Sequence, residues 1–271
     1  CRFNRGTSPF CLPPGCLPRQ NGREEPRRSD PFLPVDSAVG GEMMSNGLVR
    51  CAATLLVAFS ISPAAAAVFQ VSNNADAGPG SLRAAIETAN TTPGFDSIDF
   101  SMLPTDASGA PLEITLTSGE LKITDSLRVV NNGPTQITVP RSDQAGTLGF
   151  RIFNVVGTPT NSVTVAMHGL KIRNGSAIGF GGGLQASQHS GVALSSMSFE
   201  ENSALNGGAI SNSGSMRIYG STFDQNASTT GGAIFNFATL NILNSTFIRN
   251  QVVEGLAPEG GAIFNTVSGE M

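Results

Sequence analysis

The amino-acid sequence predicts an all-β protein, a parallel β-helix with coils of about 24 residues, because two motifs recur in its last third. The motif Phe-x-x-Asn begins, in steps of 24 residues, at Phe199, Phe223 and Phe247. The motif Gly-Gly-Ala-Ile begins at Gly207, Gly231 and Gly260. A fixed period between 20 and 50 residues is typical of a solenoid, in which each coil contacts only its neighbours.

Each repeat contains three short segments that are predicted to be strands. Before each phenylalanine stand two apolar residues separated by one position, which places both on one face of a strand. These pairs are Val192/Leu194, Met216/Ile218 and Leu240/Ile242. The phenylalanine opens a second strand and Gly-Gly-Ala-Ile a third. Stacked copies can bury the apolar side that a single repeat leaves exposed, since each strand pairs with its copy about 4.8 Å away.

Two asparagine ladders are expected to run along the stack, because identical side chains in register can hydrogen-bond to one another. The predicted ladder residues are Asn202, Asn226 and Asn250 in one column, and Asn212, Asn236 and Asn265 in the other. One coil is longer, since the step from Ile234 to Ile263 is 29 residues instead of 24. We predict that its extra segment, residues 251–259, is a surface loop, where such insertions often bind partners.

The N-terminal region has the pattern of a leader. Residues 1–42 are rich in Arg, Pro and Gly and are predicted to be a disordered or untranslated leader. Residues 43–67 are predicted to be a signal peptide. In this segment Arg50 precedes an apolar run of about a dozen residues, and the alanines at 64–67 offer an Ala-x-Ala cleavage site. The apolar run is too short to span a membrane.

Residues 68–149 are predicted to form an N-terminal cap and the first irregular coils. Ser81 is a candidate helix N-cap. The apolar residues that follow it at helical spacing are Leu82, Ala85, Ile86 and Ala89. So short a helix must pack its apolar face on other elements, which suggests a lid on the stack of strands that follows. Residues 150–271 are predicted to be regular β-helix repeats, truncated at Met271 before a capping element.

Composition excludes several classes of protein. Residues 68–271 contain nine Lys and Arg against fifteen Asp and Glu, and no basic patch suggests nucleic acid as a partner. All four cysteines lie within the first 51 residues, so the remainder holds neither a disulfide framework nor a cysteine-ligated metal. The chain is too apolar and too weakly charged to be disordered throughout.

The repeats contain one candidate pair of catalytic carboxylates. Glu200 and Asp224 follow the phenylalanine of successive repeats, so stacking predicts them about one strand spacing apart. Such a pair could act in acid–base catalysis or bind Ca²⁺, but we interpret the two residues as part of a solvated turn. His168 and His189 have no acidic residue near them in the sequence register. We therefore predict no catalytic site and no cofactor, with Glu200 and Asp224 as the candidates to test for catalysis and a Ca²⁺ ion as the candidate to test for binding.

The two repeat motifs together resemble the polymorphic outer membrane protein repeat of secreted bacterial β-helix proteins. The segment that begins Asp76-x-Gly78-x-Gly80-Ser81 and continues to Asn90 resembles the N-terminal part of predicted right-handed β-helix proteins. The resemblance implies a right-handed helix of the pectin-lyase-like type. The sequence departs from it at Ser211, where other repeats have phenylalanine, and at residues 183–184, where Gly-Leu replaces Ala-Ile.

The resemblance implies an exported protein on the surface of a Gram-negative bacterium or outside the cell. A structural or adhesive, passenger-like role is the first hypothesis, with extracellular glycans or other cell-surface molecules as partners and no transmembrane helix in the mature chain. A secreted polysaccharide lyase or glycoside hydrolase is the alternative, since many parallel β-helices cleave polysaccharides. A passive carbohydrate-binding module is a third hypothesis.

Overall fold

The computed structural model describes residues 65–110, 113–253 and 260–266, which form a parallel β-solenoid of about seven turns with one short helix. The predicted parallel β-helix of repeat type is thereby confirmed. The predicted leader and nearly all of the predicted signal peptide lie outside the described residues. The described part of the chain has no helix long and apolar enough to cross a membrane.

Four parallel sheets run along the solenoid, and each full coil contributes one strand to each of them. Sheet 1 consists of Val68–Gln70, Asp96–Asp99, Leu127–Val130, Val163–His168, Ser190–Ser195, Ser215–Tyr219 and Thr239–Leu243. Sheet 2 consists of Ile137–Pro140, Leu170–Arg173, Ser198–Glu200, Thr222–Asp224 and Thr246–Ile248. Sheet 3 consists of Ser176–Phe180, Ser203–Asn206, Ala227–Thr230 and Gln251–Val252. Sheet 4 consists of Leu121–Ile123, Phe153–Val155, Leu184–Ala186, Ile210–Asn212, Ile234–Asn236 and Ile263–Asn265.

The strands of sheet 3 correct the prediction of three strands per coil. They occupy the segment between the asparagine and the glycine pair, which the sequence pattern assigned to a variable loop. Strands such as Ala227–Thr230 consist of small and hydroxylated residues without apolar alternation, so the period-2 signal is missing. These segments are strands because they pair with the equivalent segments of the coils on either side. Ser203, for example, pairs with Ala227.

The predicted insertion loop is also partly a strand. Gln251–Val252 pairs with Ala227 and Ser228 in sheet 3, as the equivalent residues of earlier coils do. The longer coil therefore follows the regular path through Val252 before its additional residues begin. The rest of the predicted loop, residues 254–259, lies outside the described residues.

Apolar side chains fill the interior as columns with one residue from each coil. In sheet 2 the three phenylalanines of the repeat stand directly above one another. The rings of Phe199 and Phe223 lie 5.1 Å apart and within 2° of parallel, and those of Phe223 and Phe247 lie 4.7 Å apart and within 4°. Phe199 and Phe223 are completely buried. Each stacked pair contributes about 0.5–1.5 kcal/mol beyond the burial of its surface.

The helix α1, Leu82–Ala89, covers the first coil as the sequence predicts. The side chain of Ser81 caps it by accepting a hydrogen bond from the backbone N–H of Ala84 at 3.2 Å. The apolar face packs against sheets 1 and 4, and its buried residues are Leu82, Ala85, Ile86 and Ala89. Burial of this stripe stabilises a helix that would be too short to persist alone.

Polar residues of the N-terminal motif fasten this helix to the first coil. Arg83 forms an ion pair with Asp76 at 2.8 Å and also donates to the backbone oxygens of Gly119 and Glu120. Burial alone raises the pKa of Asp76, but hydrogen bonds from Arg83, Ser118 and Thr117 outweigh it and lower the pKa to about 2. The motif that resembles other β-helix proteins therefore holds the cap in place.

Corners between the sheets require backbone in the left-handed region. Gly231 has φ +64°, and an added Cβ would lie 2.2 Å from the carbonyl oxygen of Ile234. Asparagine and other polar residues occupy a second corner, between sheets 2 and 3, where Asn174 has φ 59° and Glu201 has φ 55°. Asn174 therefore occupies the same corner position as Glu201, one residue before the position of the predicted ladder residue Asn202.

Candidate binding surfaces

The two carboxylates predicted to be neighbours lie side by side in sheet 2, where Glu200 pairs with Asp224. Each is bound to a different cation. Lys171 Nζ lies 3.0 Å from Glu200 Oε1. Arg249 Nε donates to Asp224 Oδ1 at 2.9 Å, and a second guanidinium nitrogen donates to Oδ2. The hydrogen bond from Arg249 holds the pKa of Asp224 below its usual value.

This arrangement differs from that of a glycosidase. Glycoside cleavage uses one carboxyl group with a raised pKa as the acid and a second, free carboxylate as base or nucleophile. Glu200 accepts a further hydrogen bond from Ser198 Oγ at 2.9 Å, so its Oε1 is already shared by two donors. The side chains of Glu200 and Asp224 form two surface ion pairs, which contribute little to stability individually.

Among the residues that the structure describes, no acidic side chain forms an ion pair with either histidine. His168 Nδ1 lies 2.9 Å from Ser195 Oγ, its neighbour in the next coil of sheet 1. His189 occupies a turn with φ 60°. Within residues 65–110, 113–253 and 260–266, no group of three or more His, Cys, Asp or Glu side chains is placed to hold a metal ion.

The first asparagine column is buried and continuously hydrogen-bonded. Asn202 and Asn226 are both inaccessible to solvent. Nδ2 of Asn202 donates to Oδ1 of Asn226 at 3.0 Å, and Nδ2 of Asn226 donates to Oδ1 of Asn250 at 2.9 Å. The same oxygens accept the backbone N–H groups of Asn202 and Asn226 at 3.0 and 3.1 Å. This column therefore satisfies the backbone at the corner between sheets 2 and 3.

The second asparagine column lies in sheet 4. Nδ2 of Asn212 donates to Oδ1 of Asn236 at 2.7 Å, and Nδ2 of Asn236 donates to Oδ1 of Asn265 at 2.6 Å. In earlier coils the same column contains Val155 and Ala186. Asparagine side chains thus replace an apolar column where the repeats become regular. They also stabilise the turn into the next strand of sheet 1, because Asn212 Oδ1 accepts a hydrogen bond from the backbone N–H of Gly214 at 3.1 Å.

A groove of about 500 Å³ lies on the outer face of sheet 1. Its floor includes Ala166 and Ala193, which lie in one outward-facing column and leave space between larger side chains. Arg217 and Tyr219 line it from a single strand, and Tyr219 is 55% exposed. The sequence reasoning did not find this groove. The feature of the sequence that could have indicated the groove is the pair Ala166 and Ala193, which lie next to each other in adjacent coils.

An aromatic cluster forms a second surface where sheets 3 and 4 meet. The rings of Phe235 and Phe264 stack at 5.2 Å, and Phe237 contacts Phe235 edge-on at 4.4 Å. Phe180 lies 6.2 Å from Phe235 although two coils separate their strands. Ser211 occupies the intervening coil and is 1% exposed. The departure from the repeat at Ser211 therefore leaves room that Phe180 reaches across.

Comparison with known families identifies one part of this stack. Residues 196–213 match the Chlamydia polymorphic membrane protein (Chlamydia_PMP) repeat. The matched residues include the buried Phe199, the ladder residues Asn202 and Asn212, and the glycine corner at Gly207. No curated protein matches the chain.

Proposed function

We propose that this chain, a β-helix repeat protein of the polymorphic membrane protein type, is the passenger-like part of an exported bacterial surface protein with a structural and adhesive role. The observation that carries the proposal is the family repeat at residues 196–213, set in an uninterrupted coil stack. The family implies an outer-membrane or surface location. The signal-peptide pattern of residues 43–67 supports export across the inner membrane of a Gram-negative bacterium.

The architecture suits a surface role because stability and recognition use different side chains. Inward-facing side chains build the core, as with the stacked phenylalanines of sheet 2. Outward columns change from coil to coil, as in sheet 1, where Ala166, Ala193, Arg217 and Asn241 follow one another. A solenoid of this kind presents an extended surface on which binding residues can change without loss of the fold.

The groove on sheet 1 is the surface that we propose for adhesion, with a cell-surface glycan as its ligand. Tyr219 offers an aromatic face for the apolar side of a sugar ring, and Tyr and Arg are the residue types enriched at binding hot spots. Arg217 is exposed and makes no ion pair within the described residues, so its guanidinium group is available to an acidic sugar. Asn241 lies beside Arg217 in the next coil and adds an amide.

Bead adhesion tests this proposal. Fluorescent beads coated with the purified chain are expected to adhere to cultured epithelial cells, and the double variant Arg217→Ala/Tyr219→Ala is expected to adhere about tenfold less. Arg173→Ala is a matched control, because Arg173 is on sheet 2, away from the groove. Adhesion no greater than that of beads coated with an unrelated protein would refute the adhesive role. Equal adhesion by all three proteins would refute the groove as its site.

Surface location has a separate test. In intact cells that express the native gene, external protease is expected to degrade the chain while a periplasmic marker survives. Complete protection in intact cells, followed by digestion after lysis, would contradict exposure at the surface.

A further inference from the structure

One carboxylate lies in the interior of the solenoid. Asp96 is completely buried and opens an inward-facing column of sheet 1. In the following coils the same column contains Leu127, Val165 and Val192. A buried carboxylate is unfavourable unless a partner compensates its charge, so this position requires an explanation that repeat packing does not supply.

The contacts of Asp96 leave one of its oxygens unused. Oδ1 accepts a hydrogen bond from the backbone nitrogen of Ala67 at 2.8 Å. Oδ2 is buried and has no hydrogen-bond partner in the part of the chain that the structure describes. No Lys, Arg or His forms an ion pair with Asp96 there. The carboxylate therefore faces a single backbone N–H, which is one donor for two oxygens.

The partner nitrogen stands next to an Ala-x-Ala sequence. Ala64 and Ala66 have the spacing that a signal peptidase selects for cleavage between Ala66 and Ala67. Cleavage one residue later, at the end of the predicted signal peptide, would remove the nitrogen that Asp96 binds. Cleavage before Ala67 would instead convert that nitrogen into an α-ammonium group with three donors.

We propose that the signal peptide is removed between Ala66 and Ala67 and that the new α-ammonium group of Ala67 forms an ion pair with the buried carboxylate of Asp96. In the cleavage, water adds across the amide. The hydroxyl goes to the carbonyl carbon of Ala66, which leaves as a carboxylate, and the nitrogen of Ala67 takes up protons to become an ammonium ion. The ion pair compensates the buried carboxylate, so the mature N-terminus completes the first coil. The inference rests on the export that the proposed function requires.

Two measurements test it. Mass spectrometry of the exported protein is expected to give a chain that begins at Ala67. In that chain, the pKa of the α-amino group, followed by NMR, is expected to lie above about 9 instead of the usual 7.7–8.0. Asp96→Asn should return the pKa to the usual range. Asp99→Asn should leave it raised, since Asp99 is on the same strand and binds Gln70 and Ser101.

Acetylation of the N-terminus gives a test without a substitution. Acetylated protein that begins at Ala67 is expected to melt several degrees lower than the free amine form, because the buried charge loses its partner. An N-terminus at Val68, or a pKa that is the same with and without Asp96, would overturn the inference. These results are independent of adhesion, so a raised pKa in a protein that does not adhere refutes the proposed function and leaves the ion pair standing.

Discussion

Replacing Asn226 by alanine measures how much the buried asparagine ladder stabilises the stack. Oδ1 of Asn226 accepts from the backbone nitrogen and Nδ2 of Asn202, both at 3.0 Å. Its Nδ2 donates to Oδ1 of Asn250 and to the backbone oxygen of Phe199, both at 2.9 Å. Asn226→Ala removes all four bonds and leaves the backbone N–H of Asn202 buried without its partner.

The magnitude follows from these contacts. The unpaired N–H costs about 2 kcal/mol, and the other three bonds contribute about 1 kcal/mol each. Nδ2 of Asn202 still donates to Ile172 O, and Oδ1 of Asn250 still accepts the N–H of residue 226, so the total is reduced. We expect a loss of about 4 kcal/mol in the free energy of unfolding, a large part of the 5–15 kcal/mol typical of folded proteins.

Urea unfolding followed by circular dichroism provides the measurement. Asn241→Ala is the matched control, because Asn241 is an exposed asparagine on the outer face of sheet 1 and should change the unfolding free energy by less than about 0.5 kcal/mol. If Asn226→Ala lost less than about 1 kcal/mol, or no more than Asn241→Ala, the ladder would not be a source of stability and the reasoning would be wrong.

Three further predictions concern the corners, the cap and the core. Gly231→Ala should lower the free energy of unfolding by more than about 2 kcal/mol, because the added Cβ would lie 2.2 Å from the carbonyl oxygen of Ile234. Gly220→Ala is the control and should lower it by only about 1 kcal/mol, because Gly220 has φ +55° with open space around its Cβ position. Equal losses in urea unfolding would contradict the clash. The pKa of Asp76 is about 2 when folded and about 3.9 when unfolded, so the stability it contributes is present above pH 4 and lost as pH falls toward 2. Asp76→Asn should unfold at lower urea concentration at pH 7 and lose less between pH 4 and 2; a pH dependence identical to that of the unmodified protein would disprove this role. Phe223→Ala should cost about 3–5 kcal/mol and Phe223→Leu clearly less; a loss under 1 kcal/mol for the alanine variant would mean that the phenylalanine stack is dispensable.

The sequence was sufficient to predict what repetition and local spacing encode. Apolar pairs such as Val192/Leu194 and the recurrent phenylalanines determine which side chains face inward, so the parallel stack and its interior follow from the 24-residue step. The helix Leu82–Ala89 was predictable for a different reason, since its N-cap Ser81 and its apolar face lie within a few residues of each other.

Features that depend on neighbouring coils could not be predicted from the sequence. Strands of sheet 3 such as Ala227–Thr230 have no apolar alternation, and they form because adjacent coils supply hydrogen-bond partners. Glu200 forms an ion pair with Lys171 of the preceding coil, whereas Asp224 forms one with Arg249 of the following coil. The spacing of residues within one repeat does not reveal these partners. The burial of Asp96 depends on its register with Leu127 in the neighbouring coil, which the sequence around Asp96 does not encode.

The regular spacing of the asparagine ladder also bears on how such a gene can change. Asn202, Asn226 and Asn250 are each 24 residues apart, and every ladder bond joins one coil to the next in the same sense. Deletion or duplication of a 24-residue block within this stretch keeps the remaining asparagines and phenylalanines in register with one another. This holds at whichever residue the deleted or duplicated block begins. Loss of a single residue within a strand instead moves the side chains that follow it in that strand to the opposite face. Recombination between repeats can therefore lengthen or shorten the protein in whole coils, whereas other insertions are confined to the turns.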